Sequence, residues 1–445
     1  MIRFPLYKKD IKHRILLILV ATVIYAVFYY MYKHEISPTE SYRGFIFHQL
    51  SLSEFFVSMF FYLFPIFLLP VSLSRPSDIS LWALYLFSYA PTAIMCFYIT
   101  SKGIYSTVFF LISMLCALIT LKYCRYHSFN IYSKKKLNLI YIDKIIILLF
   151  FLSITAFALK LTEFHFNLDL ITAYERRMFA GEMDKGILAG YLISIGRSLL
   201  TILGIYNVLV KKKPIYGIFV IIFSLAIFSF QGTKSALVVP VILSIMSLIY
   251  SRSKYLLWFP IVVGIVAILS LLEFSVLKTN ILSGLFTRRI IAVPGFLNTV
   301  YWDFFSENNK VLLTDSIGRY FLDPVYDRPA PFIIGQEFFN NINSNANTGI
   351  WMGAFTHFGV VGIFIISAMA GFILGLIDNL TKTHYFILGT LVCLYIGINW
   401  SEQMLHTSML TGGIIYNLLF LIFVRSSTII RPEGIKRIRR DGIYA

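Results

Sequence analysis

The chain predicts an all-α polytopic membrane protein, and three observations carry that reading. Hydrophobic residues make up 58% of its 445 positions and charged residues only 14%, where soluble proteins approach about 25% charged. Mean hydropathy is +0.76. Apolar runs of about 20 residues, the length that crosses a bilayer as a helix, recur from end to end.

Taken in order, these runs predict about twelve helices, with boundaries good to a few residues. They fall near 15–32, 54–73, 79–101, 104–122, 144–161, 187–210, 214–230, 236–250, 255–276, 352–377, 385–400 and 410–424. The run at 15–32 follows a basic start, as a signal peptide does, but it is too long and lacks a small-residue cleavage site. It is expected to remain as the first helix. Neither solenoid-period repeats nor low-complexity segments occur, so residues 1–445 are expected to form one integral membrane domain.

The formal net charge of +17 does not point to nucleic acid, because the cations sit in short connections and at the chain ends. Lys8, Lys9, Lys12 and Arg14 precede the first run; Lys122, Arg125 and Lys134–Lys136 fill one connection, Lys211–Lys213 another, Arg252 and Lys254 a third, and Arg431 to Arg440 close the chain. If all of these face the cytoplasm, the positive-inside rule holds along the whole sequence, with both termini cytoplasmic. Cys96, Cys116, Cys124 and Cys393 have neither metal-ligand nor redox spacing and are expected to be free thiols.

Two polar intervals then fall on the opposite face: a smaller loop at 162–186 and a large one at 277–351, before the tenth helix. They carry cations where the positive-inside rule would not put them: Arg176 and Arg177 in the first, Arg288, Arg289, Arg319 and Arg328 in the second. Lys234 occupies the turn Gln231–Ser235 on the same side. A planar guanidinium presents forked donors to phosphate oxygens, and a basic hollow of reduced dielectric would bind a diphosphate. Neighbours on a helix point apart, so one member of each arginine pair is expected to face such a substrate. The bland reading is contact with anionic headgroups.

Arg197 lies within an apolar run; an intramembrane arginine marks function, or else a structural ion pair, here with Asp184 or Glu273. Two candidate proton acceptors are His357, at the start of the tenth helix, and Glu402, at the outer end of the eleventh. In the run 340–348, Asn343, Asn345 and Asn347 with the nearby ring of Trp351 suit sugar hydroxyls, although asparagine-rich turns also arise for backbone reasons alone. The large loop's Pro294, Pro324, Pro329 and Pro331 are expected to break any long helix there into short surface pieces. No phosphate-binding glycine loop and no His–Glu–x–x–His pattern occurs, so neither nucleotide coupling nor a metal or other cofactor is expected.

With these residues laid out, the chain resembles the bacterial Wzy-type O-antigen polymerases, which join lipid-linked oligosaccharide repeat units, and more distantly the O-antigen ligases. The likeness is mainly architectural, with local support from three places. Gly232–Thr233–Lys234–Ser235 resembles a Gly-Ser/Thr-Arg turn of these enzymes, with lysine for arginine. Asn343–Ser344–Asn345 followed by Gly353, Gly359 and Gly362 resembles the approach to their late helix, and Glu402 resembles an acidic residue of their last outer turn. The ligases' His-Asn pair has no counterpart at Asn345–Ala346–Asn347, which favours the polymerases.

The resemblance implies a GT-C-like glycosyltransferase in the bacterial inner membrane, acting at the periplasmic face. It would transfer a growing glycan from undecaprenyl pyrophosphate to the next lipid-linked repeat unit. Partners implied are the undecaprenyl pyrophosphate-linked oligosaccharide, the lipid bilayer and a chain-length regulator protein. Arg288, Arg289, Arg176 and Arg177, with Lys234, Arg197 and Arg319, would hold the pyrophosphate, while Glu402 or His357 would take the acceptor proton. A ligase, a repeat-unit flippase and a secondary transporter are the competing expectations.

Overall fold

The computed structural model describes residues 8–100, 102–127, 187–381 and 385–428, with 147, 150, 167–169, 172 and 176 as isolated positions between them. The chain is an all-α membrane protein, and among the described residues six helices are long and apolar enough to cross a bilayer. Among the described residues the sole strand-like contact is an isolated bridge between Ser72 and Tyr255.

Helix α1 (Lys8–Met31) runs on through Tyr32–Ile36 and Ser37–Glu40, longer than its apolar run. Next come α2 (Leu52–Leu63), α3 (Asp78–Ile99) and α4 (Ile104–Cys124). The expected helix at 144–161 falls outside the described residues save Ile147 and Phe150, the latter's ring packing on Phe219. Then follow α5 (Gly190–Leu209), α6 (Ile215–Gln231), α7 (Ser235–Tyr250) and α8 (Trp258–Leu277). After them come α9 (Val293–Glu307), α10 (Ala330–Phe339), α11 (Ile350–Thr381), α12 (Phe386–Glu402), α13 (Leu405–Leu410) and α14 (Ile414–Thr428).

The interval 277–351 departs from the sequence expectation. A π-wound segment, Ser283–Ala292, leads directly into α9, and Pro294 lies in the first turn of α9 rather than ending a helix. The π turn explains why this is tolerated: the Val293 amide already reaches back five residues to Arg288, and a missing N–H costs little at a helix start. Nor is α9 a surface helix. Phe296, Val300, Tyr301, Trp302 and Phe305 are buried in the core between α3, α4 and α11.

That burial depends on partners for the polar groups α9 carries. Asn298 donates through Nδ2 to Thr92 Oγ1 at 2.8 Å and to Ser88 Oγ at 3.2 Å, and its Oδ1 accepts from Thr348 at 2.9 Å. Thr100 donates to Asp303 at 2.9 Å. Tyr301 donates its hydroxyl to the Ala346 carbonyl, and Trp302 stacks between Phe110 and Phe355 at 4.8 and 4.6 Å. Close approach at the crossing needs Gly295, where a Cβ would lie 2.4 Å from the Pro91 carbonyl.

One end of the bundle is tied by a buried ionic cluster. Arg125 of α4 donates to Asp78 at 2.6 Å and to Ser77 Oγ at 2.9 Å; the same hydroxyl donates to Asp378 of α11 at 2.6 Å. The Ser77 amide also donates to Asp378, and the amides of Ser74 and Arg75 cap Asp78. Three helices are thereby fixed at the end where the basic connections lie. At the other end α11 breaks at Phe358 and Gly359, where φ of +62° and ψ of −153° suit glycine alone.

Replacing Arg125 by alanine leaves the buried Asp78 carboxylate without its cation, a loss of about 3–5 kcal/mol, while Asp378 keeps Arg75 at 4.0 Å. The Arg125→Ala protein is expected to unfold at markedly lower temperature in detergent, and a melting curve matching the native one would show the cluster to be dispensable.

Candidate functional site

The cations picked out in the sequence do not share one fate. Arg288 and Arg289 diverge on the π-wound segment, as helical neighbours must. Arg288 turns to Glu40 at the end of α1 and forms an ion pair with it, Glu40 being held also by Arg43 at 3.0 Å. Burial lowers the pKa of Arg288 against the opposing pull of Glu35. Arg289 turns the other way, to Glu402 at the end of α12, with Nη2 to Oε2 at 3.9 Å and both side chains about half exposed.

Glu402 opens onto a polar cavity with an empty volume of about 540 Å³, walled by α5, α6, α7 and α12. Arg197, Ser224, Ser235, Asn399 and Gln403 contribute its polar surface. Arg197 stands in a π turn of α5, Gly196–Leu200, and donates to Ser235 Oγ at 3.2 Å. Of the two ion-pair partners expected for Arg197, the Glu273 carboxylate is taken up by Thr279 and the amides of Ile281 and Leu282, and Asp184 lies outside the described residues. Lys234, one residue before Ser235, is exposed at the start of α7.

None of the remaining described candidates lines this cavity. Arg176 donates to Thr172 and to the Asp169 carbonyl and covers the Phe228 ring at the end of α6; Arg177 is outside the described residues. Arg319 sits on an exposed turn against the neighbouring Tyr320, so its place in a shared pyrophosphate site is not supported by the geometry. Asn343, Asn345 and Asn347 are exposed. Trp351 corrects the sequence reading: it is 1% exposed and donates its indole N–H to Ser367 within the core, which leaves it no surface for a sugar.

His357 is also buried, but its surroundings are polar. Its Nδ1 accepts from the Leu313 amide at 3.2 Å, which fixes the proton on Nε2, and Nε2 has no partner. The ring lies 5.9 Å from that of His406. Burial lowers the pKa of His406 against the opposing field of Asp315, which has an unpartnered carboxylate oxygen of its own. Glu402 and His357 therefore flank the two sides of the 402–406 turn, and only Glu402 opens onto the arginine-lined cavity.

Sequence reading missed Ser224 and Asn399 because single polar residues in apolar runs carry no periodic signal, and it gave Ser235 and Gln403 no role beside Lys234 and Glu402. It missed Glu40 as well, since the end of α1 lies far in sequence from Arg288. Among the described residues no three His, Cys, Asp or Glu side chains are grouped to hold a metal ion.

The two arginines predict opposite phenotypes. Arg288→Ala removes the more shielded of the two cations on a mostly buried carboxylate and is expected to lower stability by about 1.5–3 kcal/mol. Arg289→Ala breaks an exposed, long ion pair worth about 0–1 kcal/mol and should leave the melting temperature nearly unchanged; equal shifts for the two variants would contradict the assignment.

No protein-family model matches the chain, and no curated protein and no solved structure matches it.

Proposed function

We propose that the protein is a polymerase of lipid-linked polysaccharide repeat units. In this reading it moves a growing glycan from undecaprenyl pyrophosphate to a new lipid-linked unit at the extracytoplasmic face of the inner membrane. The observation that carries the proposal is that Arg197 and Glu402 line one polar cavity at the end of the bundle opposite the buried Arg125 cluster, with Arg289 reaching that same Glu402 from outside the cavity wall. Two cations and one carboxylate are what a glycosyl transfer with a diphosphate leaving group requires.

In the reaction, an acceptor hydroxyl attacks the anomeric carbon of the donor's first sugar as the bond from that carbon to the diphosphate oxygen breaks. Glu402 takes the hydroxyl proton. Arg289 and Arg197 stabilise the charge that collects on the departing diphosphate, with forked donors matched to its oxygens. The Arg289–Glu402 pair is long and half exposed, so an incoming diphosphate can draw Arg289 away at little cost and release the carboxylate as a base.

Purified protein incubated with a lipid pyrophosphate-linked repeat unit is expected to yield a ladder of longer glycans with no nucleotide added. Glu402→Gln should slow the ladder by about 10²–10⁴-fold, Arg289→Gln and Arg197→Gln by about 10²–10³-fold each, and Arg319→Gln hardly at all. A ladder unaffected by Glu402→Gln sinks the assignment of the base. Transfer solely to a lipid A core would indicate a ligase, and translocation with no new bond a flippase.

A further inference from the structure

Helix α7 divides two compartments of opposite character. Residues Ser235, Ala236, Val239 and Pro240 face the polar cavity. Leu237, Val238, Val241, Ile242 and Ile245, at successive i+1, i+4, i+5 and i+8 steps, face a second hollow with an empty volume of about 980 Å³. Its far wall is made by Val262 and Val266 of α8 and by Phe286 and Ile290 of the π-wound segment. The groove is apolar throughout apart from Thr287, and it opens sideways: Val241 and Ile245 are 56% and 41% exposed.

The same stripe has a charged head. Lys234 stands three and four residues before Leu237 and Val238, which on a helix puts it directly above them. It is exposed and makes no ion pair among the described residues. Arg289 lies on the segment that forms the facing wall, next to Ile290. A hydrocarbon groove topped by one cation, with a second on the facing segment turned toward Glu402, is complementary to a long-chain lipid whose head bears concentrated negative charge.

We infer that this groove receives the isoprenyl chain of a lipid diphosphate entering sideways from the bilayer, with Lys234 at its head. The inference rests on the polymerase reading for the choice of an isoprenyl diphosphate over other anionic lipids. A chain that moves from lipid into the groove gains little from the hydrophobic effect, because both surroundings are apolar. Branched-chain shape therefore selects the tail, and the cations supply the affinity. Placing the tail on one face of α7 and the reacting groups on the other lets the head cross the start of that helix, at Lys234–Ser235, to reach Arg197 and Glu402.

The test is photolabelling of the full-length purified protein with a farnesyl-length isoprenyl diphosphate carrying a benzophenone. Label is expected within 237–245, 262–266 or 286–291, displaced by unlabelled isoprenyl diphosphate and hardly by phosphatidylglycerol. Lys234→Gln should weaken labelling about fivefold, the worth of one cation near a charged headgroup, and Val238→Trp should abolish it by filling the groove. Should Val238→Trp fail to purify as a monodisperse protein, Ile245→Trp, further down the stripe, makes the same block. Label elsewhere, or equal displacement by phosphatidylglycerol, overturns the inference. A labelled groove in a protein that forms no glycan ladder sinks the polymerase reading alone, whereas native ladders from the blocked variant sink the groove alone.

Discussion

The architecture depends on burying a polar helix. α9 carries an asparagine, a threonine and an aspartate into a core otherwise built of aliphatic and aromatic side chains, and each of them left unpaired would cost about 1–3 kcal/mol; the Trp302 indole N–H is buried beside them with no hydrogen-bond partner. Asn298 is satisfied on both its amide nitrogen and its oxygen by three different hydroxyls, two from α3 and one from the segment leading into α11. A side chain bonded in this way specifies register as well as stability, because a shift of one residue along α3 would break every bond at once. Gly295 and the Trp302 stack then fix how closely the helices approach.

The placement of α9 sets the aim of the segment before it. Ser283–Ala292 is continuous with α9, so the anchoring of Asn298 also orients Arg288 and Arg289. One arginine reaches back to α1 and fastens the segment there; the other is directed at α12. These two ion pairs differ in kind. The Arg288–Glu40 pair is shielded and shares its carboxylate with Arg43, whereas Arg289–Glu402 is stretched and wet. The first holds the segment and the second is cheap to open, which is the division of labour that a binding site at the end of a membrane bundle needs.

Much of the bundle was legible in the sequence because apolar runs announce spans directly: α3, α4, α5, α8 and α11 lie where the hydropathy places them. The helix at 283–307 was not legible. Arg288, Arg289, Asn298 and Asp303 dilute its hydropathy, and the prolines read as breaks, while the hydroxyls that satisfy its polar groups come from α3 and from 348, far away in sequence. Trp351 was misread for a related reason: an aromatic beside asparagines looks like a sugar platform until Ser367, four turns further along the kinked α11, is seen to take its N–H. Of the candidate site, Arg197, Arg289 and Glu402 were legible from charge placement. That Glu402 shares a cavity with Arg197 and an ion pair with Arg289, while Arg319 stands off, could not be read without the fold.

His357 shows why charge placement has limits in both directions. As a histidine near the outer surface it reads as a base, and its lone Nε2–H does face a polar neighbourhood with His406 and Asp315 close by. Its Nδ1, though, is committed to the Leu313 amide, and this imidazole can take up a proton only by giving up that hydrogen bond within a buried site. Glu402 faces no such conflict: its carboxylate is half exposed and is held by one long ion pair. Of two candidates made equal by sequence, the one that gives up only a long, half-exposed ion pair on protonation is the better proton acceptor. His357 is better placed to brace the loop at 311–313 against α11, where the amide of Val311 also donates to the Thr356 carbonyl.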